Sequence, residues 1–271
     1  MPRGGACGVL STSTLYAFVR IRPAVRRHYA SAMTRSPVPR FEVERLGRLP
    51  YAQALEVQRS AHARVLAARE ACGAHVVLVV EHPPVVTVTR RPDAPEHVLA
   101  TDQALAAAGV ERCETDRGGD VTYHGPGQAV IYPIVDLQRL GIGIHAYIRA
   151  LEEAAIRTCA AFGVAAHREQ GATGVWVGDA SRGPAATRKV AAIGVRVSRG
   201  VTMHGIALNV RPDLAHFGFI VPCGLYGRDV TSLERELGPA CPAFDLASDR
   251  LASEACAALA EAAAARALTR P

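Results

Sequence analysis

Among the 31 lysines and arginines of this chain there is one lysine, Lys189. A guanidinium stays protonated at any working pH, whereas an ammonium can release its proton and act as a base or nucleophile. Lys189 lies in a glycine-containing apolar run, Arg188-Lys189-Val190-Ala191-Ala192-Ile193-Gly194-Val195. Taken alone, it is either a stray surface lysine in an arginine-rich composition or a proton-transfer group. Cys223 is the thiol in the most loop-like setting, between Pro222 and Gly224. Proline restricts its neighbour and glycine permits unusual backbone angles, an arrangement that can present a side chain at a cleft. A catalytic thiol needs its pKa lowered by a nearby cation or a helix N-terminus; otherwise a free cysteine packs as a small hydrophobe. Cys72, Cys159 and Cys256 fall on expected helices and take the second reading. His124 and His204 each precede a glycine, and a Cys–His dyad with either is open on residue types alone. No H-x-x-x-H pattern or nearby carboxylate cluster accompanies them, so no metal site is expected.

The segment Arg117–Gln128 (RGGDVTYHGPGQ) is rich in glycine. It lacks the Lys-Ser/Thr of a phosphate loop and the G-x-G-x-x-G order of a dinucleotide site. Its composition suits close approach of backbone to a ligand that need not be a phosphate.

The elements that must position these residues follow from periodicity. Tyr51–Glu70 reads as an amphipathic helix, and His75–Glu81 (HVVLVVE) as a buried strand stopped by Pro83-Pro84. Thr101–Ala108 reads as a short helix capped by Thr101 or Asp102 and ended by Gly109. Ala129–Val135 reads as a strand fed by the glycine-rich loop, residues 145–162 as a helix ended by Gly163, and Gly174–Gly178 as a short strand. The polar stretch Asp179–Arg188 reads as an exposed loop. Val190–Ser198 and Val201–Val210 form a hairpin about Arg199-Gly200, which places Lys189 at the start of its ladder. Asp245–Ala267 is an alanine-rich final helix. Strands in the middle with helices on the flanks predict a single α/β (α+β) domain with a mixed sheet.

Composition narrows the function classes. The net charge is +6, yet residues 1–40 hold seven arginines and no acid, so the rest of the chain is nearly neutral. With no aromatic-rich basic stripe, this excludes nucleic acid as the expected partner. No apolar run reaches the roughly 20 residues that span a bilayer, so no membrane role is expected. The seven cysteines are scattered without a C-x-x-C pair, which suits reduced thiols. Residues 1–40 are expected to be a basic, disordered extension, a transit-like segment, or sequence ahead of a true start at Met33, and residues 41–271 the functional domain.

Four segments in order, Glu81–Thr87 (EHPPVVT), Arg117–Gln128, Lys189–Val210 (KVAAIGVRVSRGVTMHGIALNV) and Pro222–Gly224 (PCG), together resemble the lipoyl(octanoyl) transferase family. The resemblance covers most of residues 41–250. It implies a fold similar to the catalytic domains of biotin protein ligases and lipoate ligases. It implies transfer of an octanoyl group from octanoyl-acyl carrier protein to one lysine of a lipoyl domain. The acceptors would be 2-oxo-acid dehydrogenase complexes and the glycine-cleavage H protein, in the cytoplasm and with no cofactor. The family's nucleophile falls on Cys223 and its active-site lysine on Lys189. Its acyl-binding segments fall on Arg117, Gly118, Gly119, Asp120, Val121, Thr122, Tyr123 and His124, then on Ala192, Ile193 and Gly194, and on Gly205, Ile206 and Ala207. Glycines 118, 119, 194 and 205 would leave a narrow slot, expected to be apolar because each buried methylene contributes about 0.8 kcal/mol.

Two departures stand out. Thr87-Val88-Thr89-Arg90 replaces the glycine usual at that strand's exit, and the loop beside Lys189 is longer than in the family. Three other readings keep the same residues: an ATP-dependent lipoate ligase, a cysteine acyl-hydrolase using His124 or His204, and a non-enzymatic scaffold for carrier protein.

Overall fold

Residues 19–21, 39–222 and 227–268 are described by the computed structural model. The strands are β1 (Val19–Ile21), β2 (Phe41–Arg48), β3 (His75–Glu81), β4 (Val85–Thr89), β5 (Glu111–Thr115), β6 (Thr122–His124), β7 (Gln128–Ile134), β8 (Ala166–Glu169), β9 (Ala172–Gly178), β10 (Thr187–Ser198), β11 (Val201–Asn209) and β12 (Asp229–Val230). The helices are α1 (Tyr51–Ala67), α2 (Asp102–Ala107), α3 (Leu137–Leu140), α4 (Ile144–Ala161), α5 (Leu233–Leu237) and α6 (Phe244–Leu268).

The large sheet runs β1-β2-β3-β7-β11-β10-β9-β8, with β12 also paired to β10. It is mixed: β2 and β3 are parallel, while β3–β7, β7–β11, β11–β10 and β10–β9 are antiparallel. One face packs against α4 and α6 through Val77, Ile131, Leu208, Leu151 and Leu259. The other packs against α1 through Leu78, Val130, Ala207, Leu55 and Val65. Residues on adjacent positions of one strand therefore feed opposite cores, as the two-residue period requires. A second, three-stranded sheet, β5-β4-β6, carries the glycine-rich segment and has its own core around Val86, Val121, Tyr123 and Phe217.

The expected mixed α/β architecture is present. Strand β3 has the expected bounds, α1 and α4 agree within a few residues, and Thr101 caps α2 by accepting from the Ala104 amide. The Arg199-Gly200 turn has φ of 52° and 80°, the left-handed pair that a tight hairpin needs. Three features differ. The glycine-rich segment is not all loop, because Thr122–His124 forms β6 against β4. Strand β10 starts at Thr187, so Arg188 is a strand residue, tied to Glu236 at 2.9 Å, and the loop before it ends at Ala186. Strands β2 and β5 carry charged, exposed positions among their buried ones, so polarity hides them from a reading of apolar runs.

Pro133 lies within β7 and cannot donate to the ladder. Its carbonyl instead accepts from Thr202 Oγ1 at 2.7 Å and from the Tyr147 hydroxyl at 3.0 Å. Its ring also crowds β11. A Cβ on Gly205 would lie 2.8 Å from Pro133 Cδ and 2.2 Å from the Ile131 carbonyl oxygen. Glycine is the residue that lets β11 lie against this part of β7.

Gly205→Ala is therefore expected to destabilise the fold by about 1–3 kcal/mol. Gly218→Ala, with nothing within 4 Å of the added methyl, should be close to neutral. Urea unfolding of both variants measures the difference.

Candidate active site

Lys189 reaches its position through an irregularity. It pairs with Trp176 of β9 and Val230 of β12, and the register slips between Lys189 and Ala191. Val190 and Ala191 both enter the core under α4 and α6. Lys189 and Ala192, three residues apart, therefore share the opposite face, where regular alternation would separate them. The Lys189 side chain is buried, with Nζ 4.6 Å from the Trp176 ring centroid. Arg228 lies 3.9 Å from the same ring and donates to Glu169 at 2.6 Å and to Thr187 at 2.8 Å. Two cations against one indole fix the ammonium by cation–π attraction in a dry setting. Gly174 makes the room: a Cβ there would stand 2.7 Å from the Ala191 carbonyl oxygen and 3.3 Å from Lys189 Cε.

Cys223 and Gly224 lie outside the described residues. Their flanks are held. Val221 N–H donates to the His97 carbonyl at 2.8 Å on one side. On the other, Arg228 is anchored as above, and β12 pairs with Arg188 and Lys189.

On the Lys189 face of the sheet, a cavity of about 30 Å³ opens between the glycine-rich segment and the β10–β11 hairpin. Arg117, Thr122, His124, Ala192, Ile193, Gly194, Gly205, Ile206 and Ala207 line it, all expected from the sequence. Tyr51, Val130, Tyr132 and His204 complete it. Gly118, Gly119, Asp120, Val121 and Tyr123 do not line it. Gly118 N–H donates to the Val195 carbonyl at 2.9 Å, clamping the loop to the hairpin. A Cβ on Gly118 would meet that carbonyl oxygen at 2.8 Å, and one on Gly194 would meet the Gly118 oxygen at 3.0 Å. These two glycines serve close backbone contact rather than empty space. Asp120 accepts from Val121 N–H at 2.7 Å and faces His97 Nδ1 at 2.8 Å, while Val121 and Tyr123 fill the core of the small sheet. Asp93 converges on His97 and Asp120, but its carboxylate is engaged by Arg91 at 2.9 Å.

The expected apolar slot is apolar only on its floor, where Val130, Ala192 and Ala207 lie. Its walls carry Arg117, two tyrosines and two histidines. The departure at Thr87–Arg90 explains part of this. Thr87 accepts from Arg117 through its Oγ1 at 3.0 Å and its carbonyl at 3.3 Å, and Thr89 Oγ1 donates to the Gly119 carbonyl at 3.2 Å. Both threonines brace the glycine-rich loop.

The histidine protons can be assigned by following donors. Asn209 Nδ2 donates to the Thr231 carbonyl at 2.9 Å, so its Oδ1 accepts from Gln128 Nε2 at 2.8 Å. Gln128 Oε1 must then accept from His124 Nδ1–H, leaving Nε2 as the bare acceptor. Burial, reinforced by neighbouring His82, depresses the His124 pKa to about 3. His82 donates from Nδ1 to the Leu49 carbonyl and accepts at Nε2 from the Tyr132 hydroxyl, both at 2.8 Å. Burial lowers its pKa to about 4. His204 donates from Nε2 to Asp116 at 2.8 Å, and burial lowers its pKa in spite of that carboxylate. Tyr51, His82, Tyr132, Asp116, Gln128 and Asn209 are all missing from the sequence reading. Only His82, Gln128 and Asn209 carried a signal, as polar residues of the recognised segments.

His75, like His82, is held at about 4 by burial. These two and His124 are neutral in the folded state, whereas in the unfolded chain they take protons near pH 6.5. Below that the unfolded state binds more protons, so the fold is expected to lose stability as pH falls from about 6.5 to about 4. The slope is at most about 1.4 kcal/mol per pH unit for each histidine. Urea melts between pH 7.5 and 4.5 read this, and His82→Gln should flatten the curve.

The family described as lipoyl protein ligase A/B catalytic domain matches residues 50–254. An octanoyltransferase of Acidobacterium capsulatum is 51% identical over 71% of this chain and 78% of its own length. An octanoyltransferase of Chloroflexus aggregans is 48% identical over 79% of this chain and 93% of its own. Among solved structures, a bi-partite lipoate protein ligase of Thermoplasma acidophilum superposes with a TM-score of 0.57 at 16% identity, covering 79% of this chain and 80% of that one. A lipoate-protein ligase A bound with ATP gives 0.56 at 14%, covering 79% and 82%. At those identities the structural likeness concerns the fold.

Proposed function

The chain belongs to the lipoyl protein ligase A/B catalytic domain family and transfers octanoyl groups in protein lipoylation, and we propose that it does so through a thioester on Cys223 with octanoyl-acyl carrier protein as donor. The acceptors are single lysines of lipoyl domains, in 2-oxo-acid dehydrogenase complexes and the glycine-cleavage H protein. The observation that carries this reading is the pairing of the chain's one lysine, Lys189, with Val230, seven residues after Cys223 in the sequence.

In this mechanism the Lys189 ammonium stabilises the Cys223 thiolate. The thiolate attacks the carrier thioester, and the phosphopantetheine thiol leaves with a proton from Lys189. The neutral amine then takes a proton from the acceptor lysine as that nitrogen attacks the acyl-cysteine, and an amide forms. Each step exchanges one acyl bond for another, so no ATP is consumed. The oxyanion is held by backbone N–H groups near Cys223 or in the Arg117–His124 loop.

The octanoyl tail occupies the cavity between loop and hairpin. A space of about 30 Å³ is the room of a water or two. The segment Arg117–Thr122 therefore moves outward to admit the chain, with the Gly118–Val195 hydrogen bond as the contact that yields. Residues 41–271 form the catalytic unit. The site of action is the cytoplasm, consistent with the bacterial relatives; among the described residues no helix is long and apolar enough to cross a membrane.

Intact-protein mass spectrometry after mixing with octanoyl-carrier protein and no acceptor is expected to show one octanoyl adduct on Cys223, removed by a lipoyl domain. Absence of the adduct, with the thioester intact or hydrolysed, overturns the covalent route. Cys223→Ser should abolish the adduct. Lys189→Arg keeps the charge but not an exchangeable proton, and should slow amide formation by about 100-fold or more; near-normal turnover removes Lys189 from the chemistry.

A further inference from the structure

The cavity has a direction. Lys189 stands at one end of β10, followed on the same face by Ala192 and then Gly194, which pair with Ala207 and Gly205. The next pair along is Val195 with His204. From Ala192 to Val195 the strand advances about 10 Å. His204 therefore lines the cavity at the end remote from Lys189.

His204 is held there in an unusual way. Its φ of +58° falls in the left-handed region, although it is neither glycine nor in a turn. Such a conformation persists where surrounding contacts impose it. Gln58 Oε1, from α1, accepts the His204 backbone N–H at 2.8 Å. Asp116 accepts the Nε2–H at 2.8 Å and is itself paired with Arg196. The ring is 2% exposed, and its Nδ1 has no hydrogen-bond partner among the described residues. The same holds for Gln58 Nε2, whose orientation is fixed because its Oε1 is taken. The fold does not require two orphaned polar atoms at this place; an apolar side chain would pack without that cost.

We propose that His204, held by Gln58 and Asp116, is the end stop of the acyl channel and sets the length of chain the enzyme accepts. This rests on the octanoyl-transfer reading above. An eight-carbon chain fills the floor between Ala192 and Gly205 and stops at the imidazole. Each further methylene has to displace the ring and so break its buried hydrogen bond to Asp116. The resulting discrimination against a ten-carbon chain is about tenfold or more.

The test measures kcat/KM for transfer from hexanoyl-, octanoyl-, decanoyl- and dodecanoyl-carrier protein to a lipoyl domain. The parent is expected to favour octanoyl. His204→Ala should raise the decanoyl-to-octanoyl ratio by about tenfold or more. An unchanged ratio in a folded variant that still transfers octanoyl overturns the end stop and leaves the octanoyl reading standing. Gln58→Leu and Asp116→Asn release the ring without removing it, and should shift the ratio in the same direction by less. If His204→Ala fails to fold, these two decide, and no shift in either overturns the proposal. A parent that transfers no acyl chain from carrier protein sinks the octanoyl reading and the end stop with it.

Discussion

The bulge at Lys189–Ala191 is the constraint on which the site depends. A strand alternates its side chains, so without the slip Lys189 and Ala192 would face opposite sides of the sheet. With it, Val190 and Ala191 both sink into the α4–α6 core, and Lys189 shares a face with the cavity floor. The bulge is stabilised from both sides. Trp176, itself packed against Arg228, holds the Lys189 side chain, and Thr231 N–H holds its carbonyl at 2.9 Å. Bulges commonly re-aim a side chain next to an active site, and this one re-aims the chain's one lysine.

A buried polar chain ties that lysine to the cavity wall. It runs from His124 through Gln128 and Asn209 to the Thr231 carbonyl, and from the Thr231 amide to the Lys189 carbonyl. Every link is directional, because each amide has one oxygen to accept and one nitrogen to donate. The chain thereby couples the register of β12 to the tautomer of His124. Burial keeps the histidines of this wall neutral, so the concentrated positive charge lies at Lys189 and Arg228 and at Arg117 on the loop.

The two sheets meet through close backbone contact. Gly118 and Gly194 let the loop of the small sheet touch the hairpin of the large one, and Asp116 adds charged contacts to His204 and Arg196. The result is a narrow cavity with an apolar floor and polar walls. Backbone contact of this kind tolerates little change in geometry.

Much of this was legible in the sequence, and the boundary has a physical cause. Local pattern identified β3, β7, the β10–β11 hairpin and the long helices, because a buried strand or amphipathic helix writes its period into neighbouring residues. Residue type singled out Lys189, Cys223 and the glycines. The polar strands β2 and β5 were hidden, since an edge or half-exposed strand has no apolar run to read. Tyr51 and Gln58 of α1, Asp116, Trp176 and Arg228 come from different parts of the chain, and no spacing connects them to Lys189 or His204. The sequence determined the chemistry available and the elements that carry it, because both depend on residue identity and short-range periodicity. The tertiary structure alone decided which face Lys189 takes, which glycines close contacts rather than leave space, and which histidine ends the cavity. Each of those is set by register and by partners distant along the chain.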